Sequence, residues 1–86
     1  MPEISRFYGI IIKMYWHDHN PPHFHAYYGN DAAAISMKNL KVIEGHIPRK
    51  AIMLVREWAL QNYPRLLENW QLAMQEKDLK PIPPLE

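Results

Sequence analysis

Residues 10–28 read Ile10-Ile11-Ile12-Lys13-Met14-Tyr15-Trp16-His17-Asp18-His19-Asn20-Pro21-Pro22-His23-Phe24-His25-Ala26-Tyr27-Tyr28. Ile10, Ile12, Met14 and Trp16 alternate with Ile11, Lys13, Tyr15 and His17, the period-two pattern of a strand with one buried face. The pattern returns after a gap: Phe24, Ala26 and Tyr28 fall on one side, His23, His25 and Tyr27 on the other. Between the two runs, Pro21 and Pro22 have no N–H to give a sheet, and Asn20, preceding a proline, is pushed towards extended geometry. The connection is therefore stiff and outside the ladder. The alternation predicts that residues 15–17 and 23–27 pair as a hairpin across Asn20-Pro21-Pro22, with Tyr15 and Tyr27 near His23 and His25.

Working outward, the first strand-like run begins at Ile4, and Gly9 within it marks a bend or bulge. Gly29-Asn30 is a tight-turn dipeptide. Asp31 to Met37 reads as a third strand, although Ala32-Ala33-Ala34 suits a helix equally well. Lys38-Asn39 turns the chain into a short fourth strand, Leu40 to Glu44, ended by Gly45. Pro48 fits the first position of a helix, where its missing N–H costs nothing. Ala51, Leu54, Val55, Trp58 and Ala59 then form one apolar stripe. Asn62 and Pro64 separate this helix from a second, whose stripe is Leu66 or Leu67, Trp70, Ala73 and Met74. Trp58 and Trp70 are assigned to packing. Pro81, Pro83 and Pro84 argue for an extended end. The expected fold is one α+β domain over residues 1–86. An N-terminal antiparallel sheet of three to four strands (4–44) precedes two helices packed on one face (about 48–62 and 64–77), then an extended, proline-rich C-terminal tail (78–86).

Composition narrows the function classes. Ten basic and nine acidic residues give a net charge of +1, so no overall field draws in nucleic acid or an anionic membrane. Arg49, Lys50, Arg56 and Arg65 are interrupted by Glu57, Glu68 and Glu76, which reads as a solvated helix face. The chain has no cysteine, which excludes disulfides and thiolate metal sites. Aliphatic runs such as Ile10-Ile11-Ile12 are far short of the roughly 20 residues of a membrane helix. The start of the chain is not patterned as a signal peptide, and a cytoplasmic location is expected.

The chemistry is concentrated in residues 17–25, which hold four of the five histidines. His23 and His25, two apart on a strand, project from one face roughly 7 Å apart. His19 or Asp18 from the stiff loop supplies a further ligand, and a set of Asp18, His19, His23 and His25 suits a divalent transition metal such as zinc. A second reading needs no metal. His19, His23 and His25 act as acid and base, flanked by Tyr15, Tyr27 or Arg6, in a nuclease or hydrolase. With Ser5 and Ser36 the only serines, covalent machinery is sparse. A third reading has the histidines simply bonding loop carbonyls and holding the Pro-Pro turn. Tyr8, Tyr15, Trp16, Tyr27 and Tyr28 serve either as core or as an interface.

The strings Ile4-Ser5-Arg6-Phe7-Tyr8-Gly9-Ile10, Asp18-His19-Asn20-Pro21-Pro22-His23-Phe24-His25, Glu44-Gly45 with Pro48, Glu57-Trp58, Glu68-Asn69-Trp70 and Ile82 to Leu85 run through nearly the whole chain. In them the sequence resembles a small bacterial domain-of-unknown-function family, number 4160. Members of that family often stand beside a second small protein, in an arrangement similar to toxin–antitoxin pairs. The resemblance therefore implies a small partner protein more than a reaction, with the His loop as functional surface. A homodimer is compatible with it. His17 lies outside the family's signature, whereas Asp18, His19, His23 and His25 lie within it.

Overall fold

Tyr8 and Gly9 both adopt left-handed backbone, with φ of +49° and +79°. The run from Ile4 to Trp16 is consequently folded back on itself. In the computed structural model, which describes residues 2–86, β1 (Glu3–Phe7) and β2 (Ile10–Lys13) form a two-residue hairpin with Phe7 opposite Ile10. Two successive positive φ values match the right-handed twist of the flanking strands. Tyr8 is an unusual residue for such a turn, which is why the sequence suggests only a bend. The sheet has five strands rather than three to four.

β2 pairs antiparallel with β3 (His23–Tyr28) from Ile10↔Tyr28 to Lys13↔His25. The expected pairing of 15–17 with 23–27 does not form, because the ladder ends at Lys13. The N–H of Met14 turns the other way and donates to the Pro2 carbonyl at 2.9 Å. Trp16, expected on the inner face with Ile10, Ile12 and Met14, is 49% exposed. β3 passes through the Gly29 turn into β4 (Asp31–Ser36), so the alanine run is strand. β5 (Val42–His46) completes the order β1-β2-β3-β4-β5. It runs past Gly45, where the sequence reading stops it. There φ is +77° and an added Cβ would stand 2.3 Å from the Ala32 carbonyl oxygen. Only glycine allows that approach.

Ile10, Ile12, Phe24, Ala26, Ala33 and Ile35 line the buried face of the sheet. Helix α1 (Arg49–Gln61) buries Ala51, Val55, Trp58 and Ala59, and α2 (Tyr63–Met74) buries Leu66, Asn69, Trp70 and Ala73. The stripes are those of the sequence, except that Leu54 and Met74 are only partly buried. Asn62 joins the helices. Its backbone and side-chain N–H groups both donate to the Trp58 carbonyl, and its own carbonyl accepts from Leu66. Trp58 is the centre of the core, fully buried, with ring centroids 5.4 Å from Phe7 and 5.9 Å from Phe24. No helix among the described residues is long and apolar enough to cross a membrane.

Residues 77–86 belong to neither helix nor strand, yet they are fastened to the core. Buried Asn69 donates to the Lys80 carbonyl and accepts from the Lys80 N–H, both at 2.8 Å. The Ile82 N–H donates to the Ile4 carbonyl on the outer edge of β1, and Trp58 Nε1 donates to the Pro83 carbonyl at 2.9 Å. Ile82 and Leu85 are buried. Trp58→Ala removes both the ring and this hydrogen bond. It is expected to cost about 3–5 kcal/mol, a large share of the roughly 5–15 kcal/mol typical of a whole domain. An unchanged urea midpoint would show that the indole does not carry the core.

Candidate metal centre

Residues 14–22 leave the sheet as an excursion between β2 and β3, with the Asn20–Pro21 peptide in cis. Their far side is tied to the end of α2. Trp16 Nε1 donates to the Lys77 carbonyl, and His17 Nε2 meets the Glu76 carboxylate at 2.5 Å. His17 thus faces away from the other loop histidines. At the return, the Met37 N–H donates to the Pro22 carbonyl at 2.8 Å. The excursion is pinned at both ends, and Asp18 is held over the start of β3.

One oxygen of Asp18 faces two imidazoles: Oδ2 lies 2.9 Å from His23 Nε2 and 3.1 Å from His25 Nε2. The ligand atoms of Asp18, His23 and His25 all come within 4.8 Å of one another, and among the described residues these three are the group that does so. His19 is not one of them. It is exposed, with Nδ1 3.2 Å from Asp18 Oδ1, and its ring tilts against His23 with centroids 5.3 Å apart. Its backbone N–H donates to Asp18 Oδ1 at 3.0 Å and helps orient the carboxylate.

Hydrogen-bond accounting at His23 is the informative part. His23 is buried, and its Nδ1 lies 2.6 Å from the Pro21 carbonyl oxygen. A carbonyl only accepts, so Nδ1 carries the proton. In the neutral ring Nε2 then carries a lone pair, and Asp18 Oδ2 stands 2.9 Å from it, at ion-pair distance without hydrogen-bond geometry. Two lone pairs at 2.9 Å repel unless a proton or a cation stands between them. A ring nitrogen donating to a backbone carbonyl while the other points at a shared centre is also the usual arrangement of a ligating histidine. Ligands of one tetrahedral ion at bond lengths of about 2.1 Å stand roughly 3.4 Å apart. The observed 2.9 and 3.1 Å to Asp18 need a few tenths of an ångström of widening, and the three ligand atoms already lie within 4.8 Å of one another. The donor set therefore fits a divalent transition ion. The Pro21 contact also realises the plainer reading of a histidine bonding a loop carbonyl, which one ring nitrogen satisfies while leaving the other free.

The surroundings fix the rings. His23 packs on Trp70 with centroids 5.5 Å apart and meets His25 edge-on at 5.1 Å. Tyr15 meets His25 edge-on at 5.0 Å, and its hydroxyl is 2.6 Å from that of Tyr27. Of the expected placement of Tyr15 and Tyr27 near His23 and His25, the structure gives Tyr15 against His25 and Tyr27 against Tyr15, without the strand pairing meant to produce it. Arg6 is occupied by both oxygens of Glu3, at 2.9 and 3.1 Å. A cleft of about 310 Å³ opens beside Tyr15 and Trp16, lined also by Met14 and Leu79, and none of the three cluster residues lines it. Trp70 and the Pro21 carbonyl are parts of the site that the sequence reading did not identify. Trp70 reads as plain core by its spacing, and a carbonyl has no sequence signal.

Burial pulls the Asp18 carboxyl upward. The His25 hydrogen bond, the His23 charge, the His19 backbone N–H and the His25 charge outweigh it, leaving Asp18 below its ordinary value of 3.8. A depressed carboxyl contributes stability that is fully present above the unfolded value and is lost as pH falls through the folded one. Asp18→Asn should therefore be less stable than the parent near pH 5. The gap should close as the pH drops below 3.8. A series of urea midpoints in acid measures it, and a gap that widens on acidification would contradict the charge arrangement described.

A family model described as "Domain of unknown function (DUF4160)" matches residues 9–71. That span takes in β2 to most of α2 and the whole cluster. No curated protein and no solved structure matches the chain.

Proposed function

The chain belongs to the DUF4160 family, and we propose that Asp18, His23 and His25 hold a divalent transition metal, zinc by preference, at the functional surface of the protein. The observation that carries the reading is the convergence of Asp18 Oδ2 with His25 Nε2 and with Nε2 of buried His23, whose other ring nitrogen is held by the Pro21 carbonyl. Two imidazoles and one carboxylate leave further coordination positions open, the mark of a reactive rather than a structural ion. When bound, such an ion acts as a Lewis acid and makes bound water acidic near neutral pH. The reaction class this suits is hydrolysis, nuclease chemistry included.

The chain's own residues have separable tasks. His23 is locked by Pro21 and Trp70. His25 is held edge-on by Tyr15, and Asp18 is oriented by the His19 backbone. The His19 imidazole, exposed at the rim, is placed to exchange protons between the centre and bulk water.

His23→Ala and His25→Ala are each expected to lower bound zinc severalfold or more in elemental analysis and calorimetry, with the circular dichroism of the fold retained. Affinity should fall below about pH 6, since protonated imidazole does not ligate. A parent protein that takes up no zinc, nickel or iron under any of these conditions ends the metal reading. Loss of an RNA-cleaving activity with unchanged metal content would favour metal-free acid–base work by His19, His23 and His25.

The same proposal makes the protein one component of a toxin–antitoxin-like pair in the cytoplasm, acting through a small partner protein that meets the loop. Besides the family resemblance, the support is Trp16, half-exposed two residues before Asp18, in the residue class that dominates interface energetics. Co-expression with the neighbouring small protein should give a complex that survives purification at moderate salt, and Trp16→Ala should weaken it. Separation of the two at low salt would refute the pairing.

A further inference from the structure

Opposed residues of an antiparallel pair share a face. Lys13↔His25↔Ala34 therefore form one row on the sheet face opposite Ile12, Ala26 and Ala33, and Ile11↔Tyr27↔Ala32 form the next. Lys13 stands directly across from His25, with its ammonium 5.1 Å from the Tyr27 ring centroid. Ala34 is buried, whereas Ala32 is exposed and Lys13, Tyr15, His25 and Tyr27 are partly exposed, so solvent reaches these side chains.

The polar groups there are incompletely used. The nearest carboxylate along the row, Glu3, gives both oxygens to Arg6. Asp18 faces imidazoles and the His19 N–H, and Glu44 lies beyond Ala34 on β5. Among the described residues Lys13 has no carboxylate within salt-bridge distance. The Tyr15 and Tyr27 hydroxyls make one hydrogen bond with each other. A pair of hydroxyls owns two protons and that bond uses one, so one O–H remains to donate.

We propose that Lys13 and the Tyr15–Tyr27 hydroxyl pair form an oxyanion subsite beside His25 that takes a phosphoryl group. The function of the subsite rests on the metal reading of the adjacent cluster, since it positions a phosphate ester whose remaining oxygen meets the ion. A phosphoryl group has enough oxygens to engage a metal, an ammonium and a phenol at once, whereas a planar carboxylate has two. Ammonium and phenol donors around an anion are the charge-assisted, short kind of hydrogen bond.

The test titrates inorganic phosphate into the full chain carrying one equivalent of Zn²⁺, read by ³¹P NMR, with Zn²⁺ affinity measured separately. Lys13→Met should weaken phosphate binding by about tenfold and leave zinc binding unchanged. Either hydroxyl alone can still donate, so Tyr15→Phe and Tyr27→Phe singly should keep most of the affinity. The double variant Tyr15→Phe/Tyr27→Phe should lose it, a pattern that a merely structural pair would not give. Parent-like phosphate binding in both Lys13→Met and the double variant overturns the subsite, as does acetate binding as tightly as phosphate. Should the protein take up no zinc, the metal reading fails by itself. Phosphate titrated into the zinc-free chain then decides the subsite: binding that depends on Lys13 supports it, and no binding overturns it.

Discussion

Two adjacent prolines without N–H groups govern how β2 is joined to β3, and the site follows from that. A hairpin through this segment would need donors that Pro21 and Pro22 do not have. The chain leaves the sheet after Lys13 and returns at His23. The excursion is long enough to bring Asp18 back over the strand it is about to enter. With its N–H groups missing, the segment still has carbonyls to offer. That of Pro21 turns to the His23 ring and that of Pro22 to the Met37 N–H. The same prolines that keep the connection out of the sheet set the tautomer of the buried histidine.

The cluster gathers two imidazoles round one carboxylate oxygen. His25 donates to Asp18 from Nε2 in its neutral form, whereas His23, protonated on Nδ1, meets the same oxygen favourably only with a cation or an added proton between them. His23 is the decisive member because it is buried, and water cannot relieve a mismatch there. His25 and Asp18 are partly exposed, which leaves an approach from solvent. The open side is also where Lys13 and the tyrosine pair stand. His25, Lys13 and Tyr27 thus lie on the sheet face opposite Phe24 and Ala26, partly exposed, while His23 on the same face is closed off by Trp70.

The site is not separable from the core. His23 packs on Trp70 of α2, and the loop is tied to residues Glu76 and Lys77 just past the same helix. The segment after α2 is held in turn by Asn69 and by Trp58 through the Pro83 carbonyl. Substitutions in the second helix are therefore expected to reach the cluster by shifting Trp70 and the loop anchor, without touching a ligand.

The sequence by itself determined the elements whose signals are local. Alternation marked the strand residues from Ile10 to Lys13 and from His23 to Tyr28, and helical spacing marked the buried stripes around Trp58 and Trp70. The prolines marked the break, and the density of histidines marked the chemistry. Each of these is a property of neighbours in the chain. Tertiary structure alone decided the rest. It turned Tyr8-Gly9 into a hairpin, which made five strands of the expected three to four, because pairing partners outweighed tyrosine's reluctance to take positive φ. It drew the Met14 N–H to Pro2 and so ended the ladder before Tyr15. It sent His17 to Glu76 and His19 to solvent, and brought Asp18 to His23 and His25. Spacing along a strand can say that two histidines share a face. It cannot say which carboxylate a loop will fold over them, because that depends on where the loop is anchored, and its anchors lie some sixty residues away in the chain.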